Sequence, residues 1–271
     1  MSRRFIVTLA AFFLVVPLFV TACSVGGRSP FAHQVTVTMR ADTAAIALRA
    51  SWTPELLSET ASIIEQRMKS LGLAGTVKTS GRDKLILRFA EVKDLDEKLA
   101  QLTANGVLEF RHLVGVRLGE PPGAAARYRM DVATDESGSD VYTFRDAGGN
   151  PVTAEEVLME SELVLTGHDL KRGSARAQKD PTAHRALVAL EMTPEGGRKF
   201  ADFTRRNIGA ALAVVLDGKI LSAPVVNEPI LQGRAVIQGD FNMESAGRFA
   251  ALLNSGSLPA PLEIVSVQRT P

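Results

Sequence analysis

Residues 209–229 read Gly-Ala-Ala-Leu-Ala-Val-Val-Leu-Asp-Gly-Lys-Ile-Leu-Ser-Ala-Pro-Val-Val-Asn-Glu-Pro, and this stretch sets the fold of the second half of the chain. Two apolar runs, Leu212–Leu216 and Ile220–Ala223, are joined at Asp217-Gly218. Asp-Gly between apolar runs is a strong hairpin signal, because both central residues of a type I′ turn need positive φ. The first run is apolar throughout, so we expect a strand that is buried on both faces. Pro224 should end the second strand, since proline has no N–H to donate to a sheet.

The composition is that of an ordinary globular protein, with 271 residues, of which 45% are hydrophobic and 23% charged. This length suits one or two domains with a sizeable core. The formal charge is +1, and removal of residues 1–22 with Arg3 and Arg4 would leave 29 basic and 30 acidic residues. A dedicated nucleic-acid-binding protein would carry a basic excess, so we expect no nucleic-acid partner.

The N-terminus is predicted to be a lipoprotein signal peptide. Arg3-Arg4 precedes an apolar segment, Phe5–Val20, that is shorter than a typical membrane span, and Val20-Thr21-Ala22 leads into the single cysteine, Cys23. This ending resembles the bacterial lipobox, which implies lipidation of Cys23 and anchoring in a membrane of the cell envelope. One cysteine has no partner for a disulfide, which agrees with that interpretation. The alternatives are an incidental thiol or a retained N-terminal anchor.

The region after the Gly-rich tether is predicted to form a β-α-β-β-α-β unit. Val35–Met39 alternates as a strand does, and 44–50 is a second strand or its continuation. Thr53-Pro54-Glu55 is a helix start, followed by a stripe of Leu57, Ala61, Ile64, Met68 and Leu71. Strands are expected at 76–79, 85–89 and 107–114, with a second helix capped by Asp94. This order is that of a ferredoxin-like unit.

The remaining sequence predicts a second α+β lobe after a connection. Residues 115–150 contain Pro121-Pro122-Gly123 and Gly148-Gly149 with one strand candidate, 141–145, so we interpret them as a partly mobile connecting segment. Capping signals at Thr153, Thr193 and Asn242 then predict three helices. Strands are expected at 187–192, in the hairpin, and at 235–238 and 262–267.

No catalytic or metal-binding constellation can be picked out of the sequence. His33, His112, His168 and His184 show no metal-ligand spacing to one another or to Cys23. Phosphate-binding and dinucleotide-binding loops and the Gly-x-Ser-x-Gly elbow are absent. Asp217 is the most tempting acid, but a structural role at the first position of a tight turn explains it. We therefore expect a non-enzymatic protein without cofactor or metal.

A run of basic residues precedes the strand at 187. Such a run is often just a solvated loop, but it could also contact anionic headgroups or an acidic partner. The members of this candidate contact patch are Lys171, Arg172, Arg176, Lys179, His184 and Arg185.

Two blocks of the sequence resemble the first periplasmic domain of SecD, a subunit of the bacterial Sec translocase. The first block contains Arg67-Met-Lys-Ser-Leu-Gly72 and Leu108-Glu-Phe-Arg111. The second contains Ala213-Val-Val-Leu-Asp-Gly-Lys219, Ser222-Ala-Pro224 and Asn254-Ser-Gly-Ser-Leu-Pro-Ala-Pro-Leu262. The resemblance implies a ferredoxin-like base lobe and a mobile head lobe that engages the emerging polypeptide. The expected divisions are a signal peptide (1–22), a tether (23–33), a base lobe (34–114), a connecting segment (115–150), a head-like lobe (151–260) and a C-terminal strand returning to the base (261–271).

The departures from SecD limit what the resemblance implies. SecD proteins continue past the last strand into a transmembrane bundle, whereas this sequence ends at Pro271 and starts with a lipoprotein signal. We therefore do not expect the proton-driven motor of SecD in this protein. The segment Phe89-Ala-Glu-Val92 also lacks the Pro-Gly that is usual there.

The leading hypothesis is a lipid-anchored, non-catalytic module that binds unfolded or exported polypeptide, or another envelope protein. Its means would be strand addition to an exposed sheet edge. The alternative is a lipoprotein that binds a solute or a cell-wall ligand in a cleft between the lobes.

Overall fold

The computed structural model describes residues 34–45, 52–119, 126–135, 140–181 and 185–270. The expected signal peptide, Cys23, the tether, His33, His184 and the possible strand continuing to residue 50 lie outside these ranges or run beyond them. The helices are α1 (Pro54–Ser70), α2 (Leu95–Thr103), α3 (Ala154–Met159), α4 (Pro194–Arg206) and α5 (Met243–Ser255). The strands are β1 (Gln34–Ala41), β2 (Gly75–Ser80), β3 (Lys84–Ala90), β4 (Leu108–His112), β5 (Val116–Leu118), β6 (Tyr128–Thr134), β7 (Asp140–Asp146), β8 (Pro151–Val152), β9 (Glu162–Thr166), β10 (Arg176–Lys179), β11 (Ala186–Glu191), β12 (Leu212–Leu216), β13 (Lys219–Ser222), β14 (Arg234–Phe241) and β15 (Leu262–Thr270).

The hairpin of β12 and β13 lies between two hydrophobic cores. Leu212 and Val214 pack into a cluster with Phe110, Leu165 and others, whereas Ala213 and Val215 pack into a second cluster on the other side of the sheet. Successive side chains of a strand point to opposite faces. The unbroken apolar run therefore has a simple cause, because both faces of β12 are covered.

We call β1, α1, β2, β3, α2 and β15 the base unit. Their sheet has the order β15-β1-β3-β2, and every neighbouring pair is antiparallel. Val37 and Leu87 are fully buried on one face of it, beneath Ile64 of α1 and Leu102 of α2. Thr53 caps α1, and its hydroxyl accepts a hydrogen bond from the N–H of Leu56.

Two details of the base unit differ from the sequence-based expectation. The strand expected to complete the ferredoxin-like unit, 107–114, does not join this sheet, because β4 pairs with β12 and β9 instead. The C-terminal β15 takes its place beside β1. Asp94 precedes α2 with a left-handed φ of 56°, and its side chain makes no capping hydrogen bond, so the expected cap is wrong.

The remaining elements, from β4 to α5, form the head unit. A central sheet with the order β13-β12-β4-β9 packs on one face against a sheet with the order β5-β6-β7-β8. Residues 115–150 were expected to be a connection with one strand at 141–145, and β7 confirms that strand, but the segment also supplies β5 and β6 of this second sheet. Their core contribution comes from alternating residues of β6, Tyr128 and Met130, together with Phe144 of β7. The sequence-based prediction missed β6, because the proline and glycine residues of this segment were given more weight than the alternating pattern of β6.

A third sheet of the head unit, with the order β10-β11-β14, packs against α5 on one face. Ala177, Val188 and Ile237 lie side by side on that face. Thr193 caps α4 and Asn242 caps α5 as expected. Ile208 follows the end of α4 and is 60% exposed. Within the described ranges, no helix has the length and apolarity that a membrane crossing would require.

Candidate functional site

The Asp217-Gly218 turn has the backbone that its sequence predicts. Asp217 has φ 48° and Gly218 has φ 79°, so both central residues lie in the left-handed region. Leu216 and Lys219 face each other across the turn. The amide N–H of Leu212 donates to the carbonyl oxygen of Pro224 at 2.9 Å, which holds the chain against the hairpin after the second strand ends.

The side chain of Asp217 has a role that the turn alone does not require. Its carboxylate accepts hydrogen bonds from the N–H of Val107 at 2.8 Å and from the N–H of Gly106 at 3.1 Å. The N–H of Asp217 in turn donates to the carbonyl oxygen of Val107 at 3.0 Å. Asp217 therefore fastens the hairpin to the segment that leads from α2 into β4.

The basic contact patch expected from the sequence lies on and around β10. Arg176 and Lys179 are exposed on the strand, Lys171 and Arg172 are exposed on the turn before it, and Arg185 is exposed at the start of β11. Since β10 pairs only with β11, it is an edge strand of its sheet in the described structure. The structure thus places these five cations on β10 and on the segments next to it.

Two residues that the sequence interpretation missed complete this surface. Glu191 pairs with Lys171 at 3.0 Å and with Arg234 at 3.9 Å. The ammonium of Lys171 lowers the pKa of Glu191, and the nearby charges of Arg234 and Arg176 act in the same direction. Glu191 and Arg234 are opposite each other in β11 and β14. Their position next to the basic residues depends on the strand register, so it could not be predicted from the sequence alone.

The outer face of this sheet carries apolar surface beside the charges. Cross-strand partners share a face, and the register aligns Arg176, Ala189 and Val236 on the face opposite α5. Val236 is 54% exposed. Basic groups and an open apolar side chain therefore lie next to each other.

Among the described residues, the main chain of β10 is only partly paired at its outer edge. The side-chain amide of Asn254 bonds both the N–H and the C=O of Ala175, at 3.0 and 2.9 Å, and so occupies the first outward-facing position as a neighbouring strand would. Main-chain directions alternate along an antiparallel strand. The N–H and C=O groups of Ala177 and Lys179 therefore point to the same outer edge, where an added strand can pair with them.

A second edge strand with exposed apolar residues lies in the base unit. Among the described strands, β15 pairs only with β1, and Ile264, Val265 and Val267 are between 38% and 49% exposed. Arg40 of β1 pairs with Glu263 at 3.0 Å.

The described histidines have ordinary structural surroundings. The ring of His112 packs edge-on against Phe203 with centroids 5.3 Å apart, and its Nδ1 lies 3.3 Å from a carboxylate oxygen of Glu162. His168 lies in the short turn capped by Thr166. In the described ranges, no three acidic, histidine or cysteine side chains come together as a metal ion would need.

Comparison with known proteins agrees with this architecture. The family model described as "SecDF, P1 head subdomain" matches residues 139–260. SecD of Acidaminococcus fermentans is 33% identical over 227 residues, which is 81% of this chain and 43% of that protein. SecD of Desulfurispirillum indicum is 35% identical, over 74% of this chain and 38% of that protein. The chain thus spans less than half of the length of these curated relatives.

Two solved structures extend the likeness to three dimensions. A crystal structure of SecDF in its super-membrane-facing form has a TM-score of 0.65 and 28% identity, over 87% of this chain and 30% of that one. A second solved chain, reported as SecDF, "a membrane component … that enhances protein export", has a TM-score of 0.62 and 29% identity. This chain covers 99% of that one, and 86% of its own length takes part. The protein is therefore a SecD periplasmic-domain-like protein, with an α+β fold similar to that of the SecDF periplasmic domains and a relationship to components of protein export.

Proposed function

We propose that this protein is a lipid-anchored, non-catalytic module that faces the periplasm or the cell exterior and binds extended segments of exported polypeptides. The observation that carries the proposal is the near-complete coverage of a solved SecDF chain that is described as enhancing protein export. Domains of that kind in SecD serve the translocase without catalysing a reaction of their own, and the same role is proposed for this chain.

The edge of β10 provides a physical means for such binding. Its outward N–H and C=O groups at Ala177 and Lys179 can extend the sheet by one strand, which gives affinity without regard to sequence. The surrounding cations, among them Arg172, Arg176 and Arg185, favour segments that carry acidic residues. The exposed side chain of Val236 adds apolar contact on the adjacent face.

The binding activity can be tested on the purified chain from residue 24 onward, which contains every described residue. Fluorescence anisotropy with a panel of labelled extended peptides should show saturable binding, and the same peptides locked in helical form should bind more weakly. Failure of the whole panel to bind would contradict the proposed function.

The anchor is tested in a separate experiment. In cells fed a labelled fatty acid, the wild-type chain should incorporate the label and sediment with membranes. The substitution Cys23→Ser should abolish both, and Ser24→Ala should change neither. A membrane-bound and unlabelled wild-type chain would refute lipidation at Cys23.

A further inference from the structure

The sheet of the base unit has one covered face and one that its helices leave open. Val37 and Met39 of β1 are fully buried in the core that α1 and α2 form with the sheet. Successive side chains of a strand point to opposite faces, so Thr36, Thr38 and Arg40 of the same strand belong to the other face. We call this second face of the sheet, as the described strands form it, the open face.

The open face is rich in cations. Those that the strand register places on it are Arg40 of β1, Lys78 of β2, and Lys84 and Arg88 of β3, all of them exposed. Arg40 lies opposite Lys84, and Lys84 and Arg88 are the diagonal neighbours of Lys78 across β2 and β3. Residues in these positions lie close together on one face. The four cations therefore form one continuous surface.

Carboxylates compensate part of this charge at one end of the sheet. Glu263 of β15 accepts a hydrogen bond from Arg40 at 3.0 Å. This bond raises the pKa of Arg40, and the negative charges of Asp83 and Asp42 act in the same direction. The end of β1 meets the turn that carries Asp83, because the N–H of Ala41 donates to the carbonyl oxygen of Asp83 at 2.8 Å. The cations farther along β2 and β3 are left to attract other anions.

The helix side of the base unit has the opposite charge. The exposed acidic residues of α1 and α2 are Glu55, Glu59, Glu65, Asp96 and Glu97. The basic residues of these helices that reach the surface are Lys69 and the half-buried Lys98. The base unit is therefore polarised, with a basic sheet face and an acidic helix face, and an anionic surface would attract one side and repel the other.

The open face differs from the edge of β10 in what it can bind. Both central strands, β1 and β3, are paired on each side, so an extended peptide finds no main-chain groups to pair with there. Four strands at their usual spacing and the eight residues of β1 give a flat area of about 14 by 26 Å. Such a surface suits many anionic groups in one plane.

The start of β1 indicates which anionic surface lies within reach. This inference rests on the proposed function, in which Cys23 carries the lipid anchor. Cys23 lies eleven positions before Gln34, the first residue of β1. An extended chain spans at most about 3.6 Å per residue, so Gln34 is held within about 40 Å of the membrane. That reach exceeds the length of β1, so the base unit can turn any of its sides to the headgroups, and its charge decides which.

We propose that the open face is a docking surface for the anionic phospholipid headgroups of the membrane that carries the anchor. The acyl chains hold the protein at the membrane, and the cations of the open face set its orientation, because their attraction acts over a Debye length of about 8 Å. The acidic helices α1 and α2 then point away from the headgroups. Docking through the base unit also leaves the head unit free to move, as the resemblance to SecD implies.

Vesicle sedimentation tests the docking with the chain from residue 24 onward, which lacks the anchor. This chain should bind vesicles of phosphatidylglycerol and phosphatidylcholine in equal parts, and should bind vesicles of phosphatidylcholine alone far more weakly. Replacing Lys78, Lys84 and Arg88 together by glutamine should lower the affinity for the anionic vesicles at least tenfold, since each basic residue at such a surface contributes about fivefold.

The matched control replaces Arg172, Arg176 and Lys179 by glutamine, which removes the same charge from the region of β10. It should change the vesicle affinity by less than about twofold on that scale. All six side chains are exposed, so both variants should keep the native circular dichroism spectrum. No binding of the unsubstituted chain to the anionic vesicles, or equal losses in the two variants, would overturn the proposal.

The orientation has a readout of its own. Cys23 is the single cysteine of the sequence, so the chain from residue 24 onward can be labelled at one introduced position. A fluorophore at Gln268→Cys, on the open face, should be quenched by spin labels on the lipid headgroups. A fluorophore at Ser62→Cys, exposed on α1, should not be quenched. Equal quenching at both positions would contradict docking through the open face.

Two further measurements separate this proposal from its alternatives. Binding of polyglutamate without binding of anionic vesicles would assign the open face to an acidic protein partner and overturn the proposal. The variant without Lys78, Lys84 and Arg88 should keep its affinity for extended peptides, and incorporation of a fatty acid at Cys23 does not depend on these residues. Vesicle docking can therefore fail while peptide binding and lipidation succeed, so the proposed function and this inference are tested separately.

Discussion

At the scale of single residues, Asp217 combines a backbone conformation with a side-chain function. Its φ of 48° is one that Asn and Asp tolerate better than other residues with a Cβ, and its carboxylate accepts two hydrogen bonds from the 106–107 segment. Asp217→Ala removes both advantages and should lower the free energy of unfolding by about 1–3 kcal/mol. Asp217→Asn keeps the backbone tolerance and one acceptor, so its loss should be smaller. Urea denaturation measures both, and equal losses would contradict the role given to the carboxylate.

Asp169 provides a prediction about pH. Burial alone would raise the pKa of this carboxyl, but hydrogen bonds from the N–H of Thr166 and from the ammonium of Lys199 at 2.9 Å outweigh it and hold the pKa below its usual value. A carboxyl with a depressed folded-state pKa contributes stability above its unfolded-state pKa of about 3.9, and that contribution is lost as the pH falls through the folded-state value.

The wild-type protein should therefore lose more stability between pH 6 and pH 3 than Asp169→Asn, in which this contribution is already missing. Urea denaturation across that range measures the difference. Since other carboxyls titrate in both proteins, parallel pH profiles would show that the bonds of Asp169 add nothing.

At the scale of elements, β12 differs from an ordinary sheet strand because both of its faces are covered. Val214→Ala and Val215→Ala remove side chains that are 4% and 1% exposed, and each should cost about 1–3 kcal/mol of unfolding free energy. In β3, which has one covered face, Leu87→Ala should cost as much, whereas Arg88→Ala should cost little. Thermal or urea unfolding of the four variants tests the pattern. A loss at only one of the two valines would contradict burial on both faces.

The same elements show which features a sequence can reveal. The caps Thr53, Thr193 and Asn242 were predicted correctly, because a cap depends on residues within one turn of each other. The sheet partners of β4 were not predicted, because a strand of five alternating residues can pair with any strand of suitable pattern. The place beside β1 is taken by β15, which begins 150 residues after the end of β4. The partners of the basic patch, Glu191 and Arg234, are likewise set by long-range register and packing. The resemblance to SecD identified the scaffold, but none of these contacts could be derived from it.

At the scale of the whole molecule, a nearly neutral chain carries a locally basic edge. The 31 basic and 30 acidic residues almost cancel, whereas the surface around β10 has five exposed cations, one of which, Lys171, pairs with Glu191 at 3.0 Å. Non-specific attraction of anions by net charge is therefore weak, and selectivity for acidic segments has to come from this edge.

Two contributions to peptide binding can then be separated by salt. Charge attraction across an exposed surface is screened within roughly 8 Å at physiological ionic strength, while main-chain pairing is not. The affinity for an acidic extended peptide should fall several-fold between low and high salt, and that of an uncharged peptide should change little. Replacing Arg172, Arg176 and Lys179 together by glutamine should remove the salt dependence and leave a residual affinity equal to that of the uncharged peptide.

The matched control replaces Arg88, Arg145 and Arg205, which are also exposed but lie on other elements. Salt dependence that survives the first triple substitution, or that is lost in the control, would place the binding surface away from β10. The reason is that main-chain groups and cations lie together at the edge of β10, so binding there should have one contribution that salt screens and one that it does not.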